Sequence, residues 1–247
     1  MSRWPGVNWV WFPAVDSTNT FAERLMEAWF AEELETPLPP TLIFADAQWA
    51  GRGRGERTWQ SPPGGLYASF LFWVPTSFLP WLPLAAGLAL YQGVKRLLPE
   101  LSVALKWPND LQVKGRKLGG VLCSSRVQGP RAWTVTGVGI NVLTCPVLGE
   151  EGREPVSLRQ LGFSGTLHQA REVLLDTFVT AFPALLEEGG ALVPRWEAVA
   201  VHVPGEAMAV RTGRGVVFGT FRGLSPEGLL LLEVGGGVQA ISALELA

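Results

Sequence analysis

The sequence predicts an α+β fold: a mixed β-sheet domain backed by helices over residues 1–198, followed by a small all-β unit over residues 199–247. Three features of the chain point there. Short β-rich runs bounded by Gly and Pro cluster between residues 40 and 142, and helical patterns follow them. After residue 198 the helical pattern stops, and short strands separated by glycine-containing turns take over. With 247 residues, 47% of them hydrophobic and 17% charged, the chain has the composition of a globular protein with a real core.

The N-terminal stretch MSRWPGVNWVWFPAVDSTN has neither the long apolar segment nor the small-residue cleavage site of a secretory signal, so a soluble cytoplasmic protein is expected. STNTFAERLMEAWFAEELE opens on small polar capping residues. It then sets Phe21, Leu25, Met26, Trp29 and Phe30 at helical spacing opposite acidic side chains, which predicts a first helix. PTLIFADAQ is a buried strand leading into an Arg/Gly loop, and GGLYASFLFWV is another strand. Pro75, Pro80 and Pro83 break the apolar stretch around them into strand, turn and helix, so it does not read as a membrane span. The helix LPLAAGLALYQGVKRLLP ends at Pro99. SVALKWPND is a strand stopped by a Pro-Asn-Asp turn, LQVKGRK a short hairpin, and LGGVLCSSRV and AWTVTGVGINV are strands able to pair. TLHQAREVLLDTFVTAFPALLEE and VPRWEAV are the closing helices. AMAVRT, GVVFGTFRGLS, GLLLLEV and VQAISALEL then make a small barrel or sandwich. A unit of this size is near the ~40-residue limit of independent stability, so it is expected to pack on the first domain.

Charge and rare residues exclude several functions. A net charge of −2 and a pI near 5.8 disfavour a duplex nucleic-acid binder, which would carry a broad basic face. A single-strand binder using the Arg/Gly loop and Trp59 as a stacking platform is disfavoured by the same acidity. Cys123 and Cys145, the only cysteines, lack metal or redox spacing. His168 and His202, the only histidines, lie near no G-x-S-x-G stretch, so a Ser-His-Asp hydrolase is not expected and both are taken as structural or surface residues. Lysines occur only at 95, 106, 114 and 117, the last three within a dozen residues of one another.

Four segments carry chemistry. In AGRGRGERTWQSPPGG, residues 50–65, the glycines let backbone N–H groups turn inward while Arg52, Arg54 and Arg57 add charge, a cradle for phosphate or carboxylate. A solvated hairpin with surface arginines is the plain alternative. Glu56 removes the G-x-G-x-x-G dinucleotide pattern, and no Walker loop is present. In LKWPNDLQVKGRKLGG, Lys106 ends an apolar strand, where burial without an anionic partner is costly. A snorkelling edge lysine is the alternative there, although Asn109, Asp110 and Lys117 make the neighbourhood more polar than an edge requires. DSTNT at 16–20 supplies helix caps that could equally bind a neutral polar group. GVGINV at 137–142 is either a site element or a tight sheet with a turn Asn.

Taken in order, DSTN, Q-x-A-G-R-G-R, W-x-S-P, K-W-P-N-D, K-L-G-G-V-L and G-x-G-I-N-V resemble a biotin protein ligase, from Asp16 to the C-terminus. The resemblance implies a mixed-sheet catalytic domain with a C-terminal SH3-like barrel. It implies an enzyme that forms biotinyl-5′-AMP from biotin and ATP and transfers biotin to a lysine of a biotin carboxyl carrier protein. Only fifteen residues precede Asp16, too few for the winged-helix DNA-binding domain of regulatory members. A monofunctional ligase without sequence-specific DNA binding is therefore expected. A lipoate or octanoate ligase of related fold is the alternative; the polar DSTN and Gln48 set suits a ureido ring better than an acyl chain.

The resemblance also distributes roles. Ser17, Thr18, Asn19 and Gln48 would bind the ureido head and flank of biotin, with Gly120 also on the biotin side. Arg52, Gly53 and Arg54 would close over the carboxylate and α-phosphate, and Lys106 would bridge the reacting oxygens. Arg57 and Trp59 would cover adenine, with Asn109, Lys117, Asn141 and the Gly119–Gly120 segment on the nucleotide side. Asp110 would position Mg²⁺ or the incoming lysine, and Mg²⁺ would enter with ATP, with no metal site built from protein ligands alone. Two departures stand out: Glu56 adds negative charge to the loop, and Trp49 is bulky beside Gln48 and is taken as a packing residue. The loop over 51–57 is expected to be mobile without ligand. Eleven tryptophans and the high apolar fraction are compatible with a homodimer; no membrane partner is expected.

Overall fold

A computed structural model describes residues 6–32, 38–147, 154–213 and 215–243. Its centre is a seven-stranded sheet in the order β1-β2-β3-β7-β6-β5-β4. The strands are β1 (Asn8–Phe12), β2 (Thr41–Ala45), β3 (Leu66–Pro75), β4 (Val103–Lys106), β5 (Asp110–Val113), β6 (Arg116–Gln128) and β7 (Arg131–Ile140). β1 runs parallel to β2 and every other neighbour pair is antiparallel, so the sheet is mixed. β1 was not anticipated: NWVWF reaches its strand state by pairing with β2, a long-range contact that local pattern does not report.

The sheet is covered on both faces, which is why β3 is apolar along nearly its whole length. On one face α1 (Thr18–Ala31) packs Ala22 and Met26 against Ile43, Leu71, Trp133 and Val135. On the other, α2 (Leu82–Leu97) and α3 (Leu167–Glu187) cover Phe70, Phe72, Val138 and Ile140, and α4 (Leu192–Glu197) packs beside α2 in the same core. Phe178 and Phe182, one turn apart on α3, stack with centroids 4.9 Å apart, and Phe72 meets Phe182 edge-on at 5.4 Å. The Thr166–Gln169 capping box starts α3. The β5–β6 hairpin turns through Lys114 and Gly115, both at positive φ, as a two-residue hairpin loop requires.

The C-terminal unit is a four-stranded antiparallel sheet in the order β11-β10-β9-β8, from β8 (Ala207–Thr212), β9 (Gly215–Leu224), β10 (Leu230–Val234) and β11 (Gly237–Ile241). The four expected strands are present. Among the described residues β8 and β11 do not pair, so the sheet is SH3-like in its strand succession without being a closed barrel. The last residues of VQAISALEL lie outside the described residues. The unit packs on the first domain as anticipated: Phe221, Leu224, Leu230, Leu232 and Ile241 join the large core, and Trp107 Nε1 donates to Gly228 O at 3.1 Å. No helix among the described residues is long and apolar enough to cross a membrane.

Candidate active site

Alternation along the strands decides which residues can face the site. On β3 and β7 the side that carries Leu71 and Val135 toward α1 also carries Tyr67, Ser69, Gly137 and Gly139. Beyond the N-terminus of α1 this face opens into a cavity of about 550 Å³.

Its floor is polar and buried. Ser17 caps α1 by accepting from Thr20 N, and Asp16 Oδ1 accepts from Ser17 N at 2.7 Å. Arg24 grips the same carboxylate at 2.6 and 3.2 Å, a bidentate pair that holds the Asp16 carboxyl below its usual range. Ser17, Thr18 and Asn19 are thereby fixed although all three are buried. Gln48 Oε1 accepts from Thr18 N at 2.8 Å, while Gln48 Nε2 donates to Ser61 Oγ at 2.7 Å. Asn19 lies across Gly137: its Nδ2 donates to Leu122 O at 3.3 Å, and its Oδ1 is 2.6 Å from Ser69 Oγ. Ser69 and Leu122 are the cross-strand partners of Gly137 on either side. The glycine is required there, since a Cβ at Gly137 would stand 1.8 Å from Asn19 Oδ1.

The rim is cationic. Arg52, Arg54, Arg57, Lys106, Lys117 and Arg211 line the cavity, and Asp110 is its single acidic side chain among the described residues. The Arg/Gly loop is a folded hairpin: Gly53 N donates to Arg57 O at 2.7 Å, and Trp59 N to Gly51 O at 2.9 Å. Arg54 is tied to the C-terminal unit, donating to Ala243 O at 2.6 Å. Burial, and then Arg57 beside it, lower its affinity for its proton, with Asp110 acting in the opposite sense. Arg52 pairs with Glu23 at 2.5 Å, and Glu23 also accepts from Ser124 Oγ. Glu56 is exposed and does not line the cavity, so its charge points away from the rim.

On the far side Trp59 packs on Gly139, where a Cβ would meet the indole at 2.8 Å. Lys117 Nζ sits 5.0 Å from the Trp59 ring and pairs with Asp110 at 3.0 Å. Trp59 Nε1 is buried without a hydrogen-bond partner. Asn109 donates to Val121 O at 2.6 Å, which anchors the Pro-Asn-Asp turn to β6. Gly120 lines the cavity, and the room above it is bounded by Asn109 O and Asp110 Oδ1.

Most sequence-predicted site residues therefore meet at one cavity, with exceptions. Asn141 does not line it; its buried amide donates to Lys117 O and Val156 O, so it holds β6 and the following segment together one layer back. Gly119 does not line it either, because it is packed against Ile140 and Gly139 O. Trp49, expected to pack, is 71% exposed, since it follows Gln48 on the outer side of the bridge to Val15. His202, taken as structural or surface, lines the cavity. Ser61 stood in the W-x-S-P motif without a role and accepts from Gln48 behind the cavity wall. Ser69, which holds Asn19 from behind the wall, was missed, as were Tyr67 and the β8 residues Ala207, Ala209 and Arg211 that line the cavity. Their sequence signal is weak: a lone Ser in an apolar strand reads as core, and the β8 residues sit outside every motif. Cys123 does not line the cavity, and burial pushes its thiol up to about 12, so it offers no thiolate nucleophile. No group of three His, Cys, Asp or Glu side chains able to hold a metal occurs among the described residues.

These features define a class: an α+β ligand-binding domain whose cavity joins a neutral polar floor to a cationic rim and is completed by a small β unit. Residues 11–141 match the biotin/lipoate A/B protein ligase family, and residues 205–243 match the biotin protein ligase C terminal domain. The chain belongs to this family. It is 33% identical over 215 residues to a biotin--[acetyl-CoA-carboxylase] ligase of Paracoccus denitrificans, covering 83% of this chain and 88% of that protein. It is 31% identical over 221 residues to the bifunctional ligase/repressor BirA of Bacillus subtilis. There the match covers 83% of this chain but 65% of the relative, so the chain spans slightly under two thirds of that protein's length. The fold superposes on a biotin protein ligase from Aquifex aeolicus in complex with biotin and ATP with a TM-score of 0.74, 28% identity and 97% coverage of both chains.

Proposed function

We propose that this chain is a biotin protein ligase that forms biotinyl-5′-AMP and passes biotin to a lysine of a carboxyl carrier protein. One observation carries the reading: one cavity has an uncharged hydrogen-bonding floor and, among the described residues, six cationic side chains against one carboxylate at its rim. Biotin has the matching polarity, a neutral ureido ring at one end and a carboxylate at the other. The Aquifex relative was solved with biotin and ATP, and two curated relatives bear the name of the acetyl-CoA-carboxylase ligase.

In the first step a biotin carboxylate oxygen attacks the α-phosphorus of ATP and pyrophosphate leaves. Two anions must approach, so fixed positive charge at the reacting centre is the main requirement. Lys106 at the end of β4 and Arg54, held at Ala243 O, supply it, with Arg52 and Arg57 beside them. Thr18, Asn19 and Gln48 fix the ureido end and thereby aim the carboxylate. Trp59 and Lys117 flank the adenylate. Mg²⁺ arrives with ATP as part of the substrate, and Asp110 is the carboxylate at the rim able to face it. In the second step the carrier amine attacks the acyl carbon of the mixed anhydride and AMP departs. No enzyme nucleophile is needed, in keeping with the raised Cys123 thiol.

The match to the biotin protein ligase C terminal domain supports biotin over lipoate. Mass spectrometry of a carrier domain incubated with enzyme, biotin and MgATP tests the proposal. An added biotinyl group on one lysine is expected; modification with lipoate alone sinks it.

A further inference from the structure

His202 is the one ring nitrogen base at the cavity, and the resemblance assigned it nothing. It belongs to a segment that runs beside the end of β4. Leu105 N donates to Val199 O and Val201 N donates to Leu105 O, both at 2.8 Å, a short parallel ladder. The next inward donor along β4 is Trp107 N. It is taken by the imidazole, donating to His202 Nε2 at 3.0 Å, so a side chain continues the ladder where the backbone leaves it. Pro108 follows and has no N–H to offer. The Trp107 ring is buried and hydrogen-bonded to Gly228 O of the C-terminal unit. Lys106 is thus bracketed: Leu105 before it and Trp107 after it are both fastened to the 199–202 segment.

We infer that His202 is a positioning residue for Lys106, acting through the Trp107 N–H and setting where the ammonium stands at the junction of biotin carboxylate and α-phosphate. This rests on the ligase reading of Lys106. The bond requires a proton-free Nε2, hence a neutral ring protonated at Nδ1. Burial, and then the Lys106 charge, lower the His202 pKa to about 4, which keeps the ring neutral at working pH. The Phe221 ring of β9 also packs against it, with centroids 5.4 Å apart. With Nε2 engaged, that nitrogen cannot take a proton from the incoming amine.

The test compares biotin-dependent pyrophosphate release by the full chain with His202→Leu and His202→Gln, each checked for folding by its thermal midpoint. Gln can bring Oε1 to the place of Nε2. The expected result is a kcat lowered about tenfold or more in His202→Leu, a biotin KM within about twofold, and recovery of most of kcat in His202→Gln. A folded His202→Leu as fast as the unchanged chain would overturn the inference, as would a folded His202→Gln no better than His202→Leu. Nitrogen NMR of the unchanged protein gives an independent reading: Nε2 proton-free at pH 7 is expected, and the opposite tautomer overturns the inference even if the variants do not fold. An unchanged chain inactive with biotin would sink the ligase reading, leaving the tautomer to judge the His202–Trp107 bond.

Discussion

Gly137→Ala is the sharpest perturbation the floor of the cavity allows. The added Cβ would stand 1.8 Å from Asn19 Oδ1 and 2.6 Å from its Cγ, against the 3.0 Å below which real Cβ contacts essentially never occur. Asn19 and the strand must therefore separate by roughly 1 Å, and a displacement of ~1 Å at a positioning group costs on the order of 10²-fold in rate, about 2.7 kcal/mol. Asn19 cannot swing away freely, because Ser69 and Leu122 O hold it from both sides. Biotin-dependent ATP–pyrophosphate exchange should show kcat/KM for biotin down about 100-fold, with the KM for ATP little changed. Gly139→Ala provides the contrast, since its Cβ would meet the Trp59 indole at 2.8 Å; its loss should fall on ATP. Equal biotin kinetics in Gly137→Ala and the unchanged chain, or the two effects exchanged, would refute the assignment of floor and nucleotide side.

Lys106→Ala removes a charge from the reacting centre and should slow pyrophosphate release by roughly 30- to 1000-fold, the range for one electrostatic contact to a developing charge; single-turnover rates check it. Arg54→Ala releases the loop from Ala243 O, so cleavage by a protease within residues 51–57 should accelerate. Biotin with ATP should protect the unchanged chain at the same bonds, and equal cleavage throughout would count against loop closure. Stability should also depend on pH through His202. Its folded value of about 4 lies below the ordinary 6.5, so the unfolded chain binds the proton first. The neutral ring's contribution is complete above pH 6.5 and is lost as pH falls toward 4. The gap corresponds to at most about 3 kcal/mol, and about 1–2 kcal/mol once screening of a half-buried ring is allowed for. Urea unfolding at a series of pH values should show this slope, and His202→Gln should lose it. Asp16 adds a second acid limb below pH 3.8, because its depressed pKa stabilises the fold only while the carboxylate is charged.

The parts of this molecule legible in the sequence are those whose cause is local. α1 follows from its cap and apolar spacing, α2 from Pro83 and Pro99, and the β5–β6 hairpin from Lys114–Gly115. The cationic rim could be seen because Arg/Gly punctuation and scarce lysines mark it. β1 could not, since its strand state comes from pairing with β2. Ser69 is the instructive miss at the site: inside LYASFLFWV it looks like a tolerated polar core residue. Its role appears only when β7 brings Gly137 beside it and α1 lays Asn19 across both. Asn141 is the converse, a motif residue whose amide is engaged in holding strands together.

The C-terminal sheet shows why a site can span elements that sequence reading separates. Its four strands were anticipated, and chemistry was assigned only to residues 16–142. Yet Arg54 and the end of β4 that carries Lys106 are anchored just before, within or just after that sheet. Arg54 is held by Ala243 O, Trp107 by Gly228 O and its own N–H by His202, while Ala207, Ala209 and Arg211 of β8 form part of the cavity wall. A lysine or arginine beside two reacting anions must stay in place as the charges redistribute, and flexible side chains do so only when their backbones are tied down. The sheet is too small to hold a core alone, and it gains one by packing Phe221 and Leu230 into the large domain. The same packing that stabilises it therefore fixes the ends of β4 and of the Arg/Gly loop, so substitutions that loosen this interface should reduce rate before they reduce the fold's integrity.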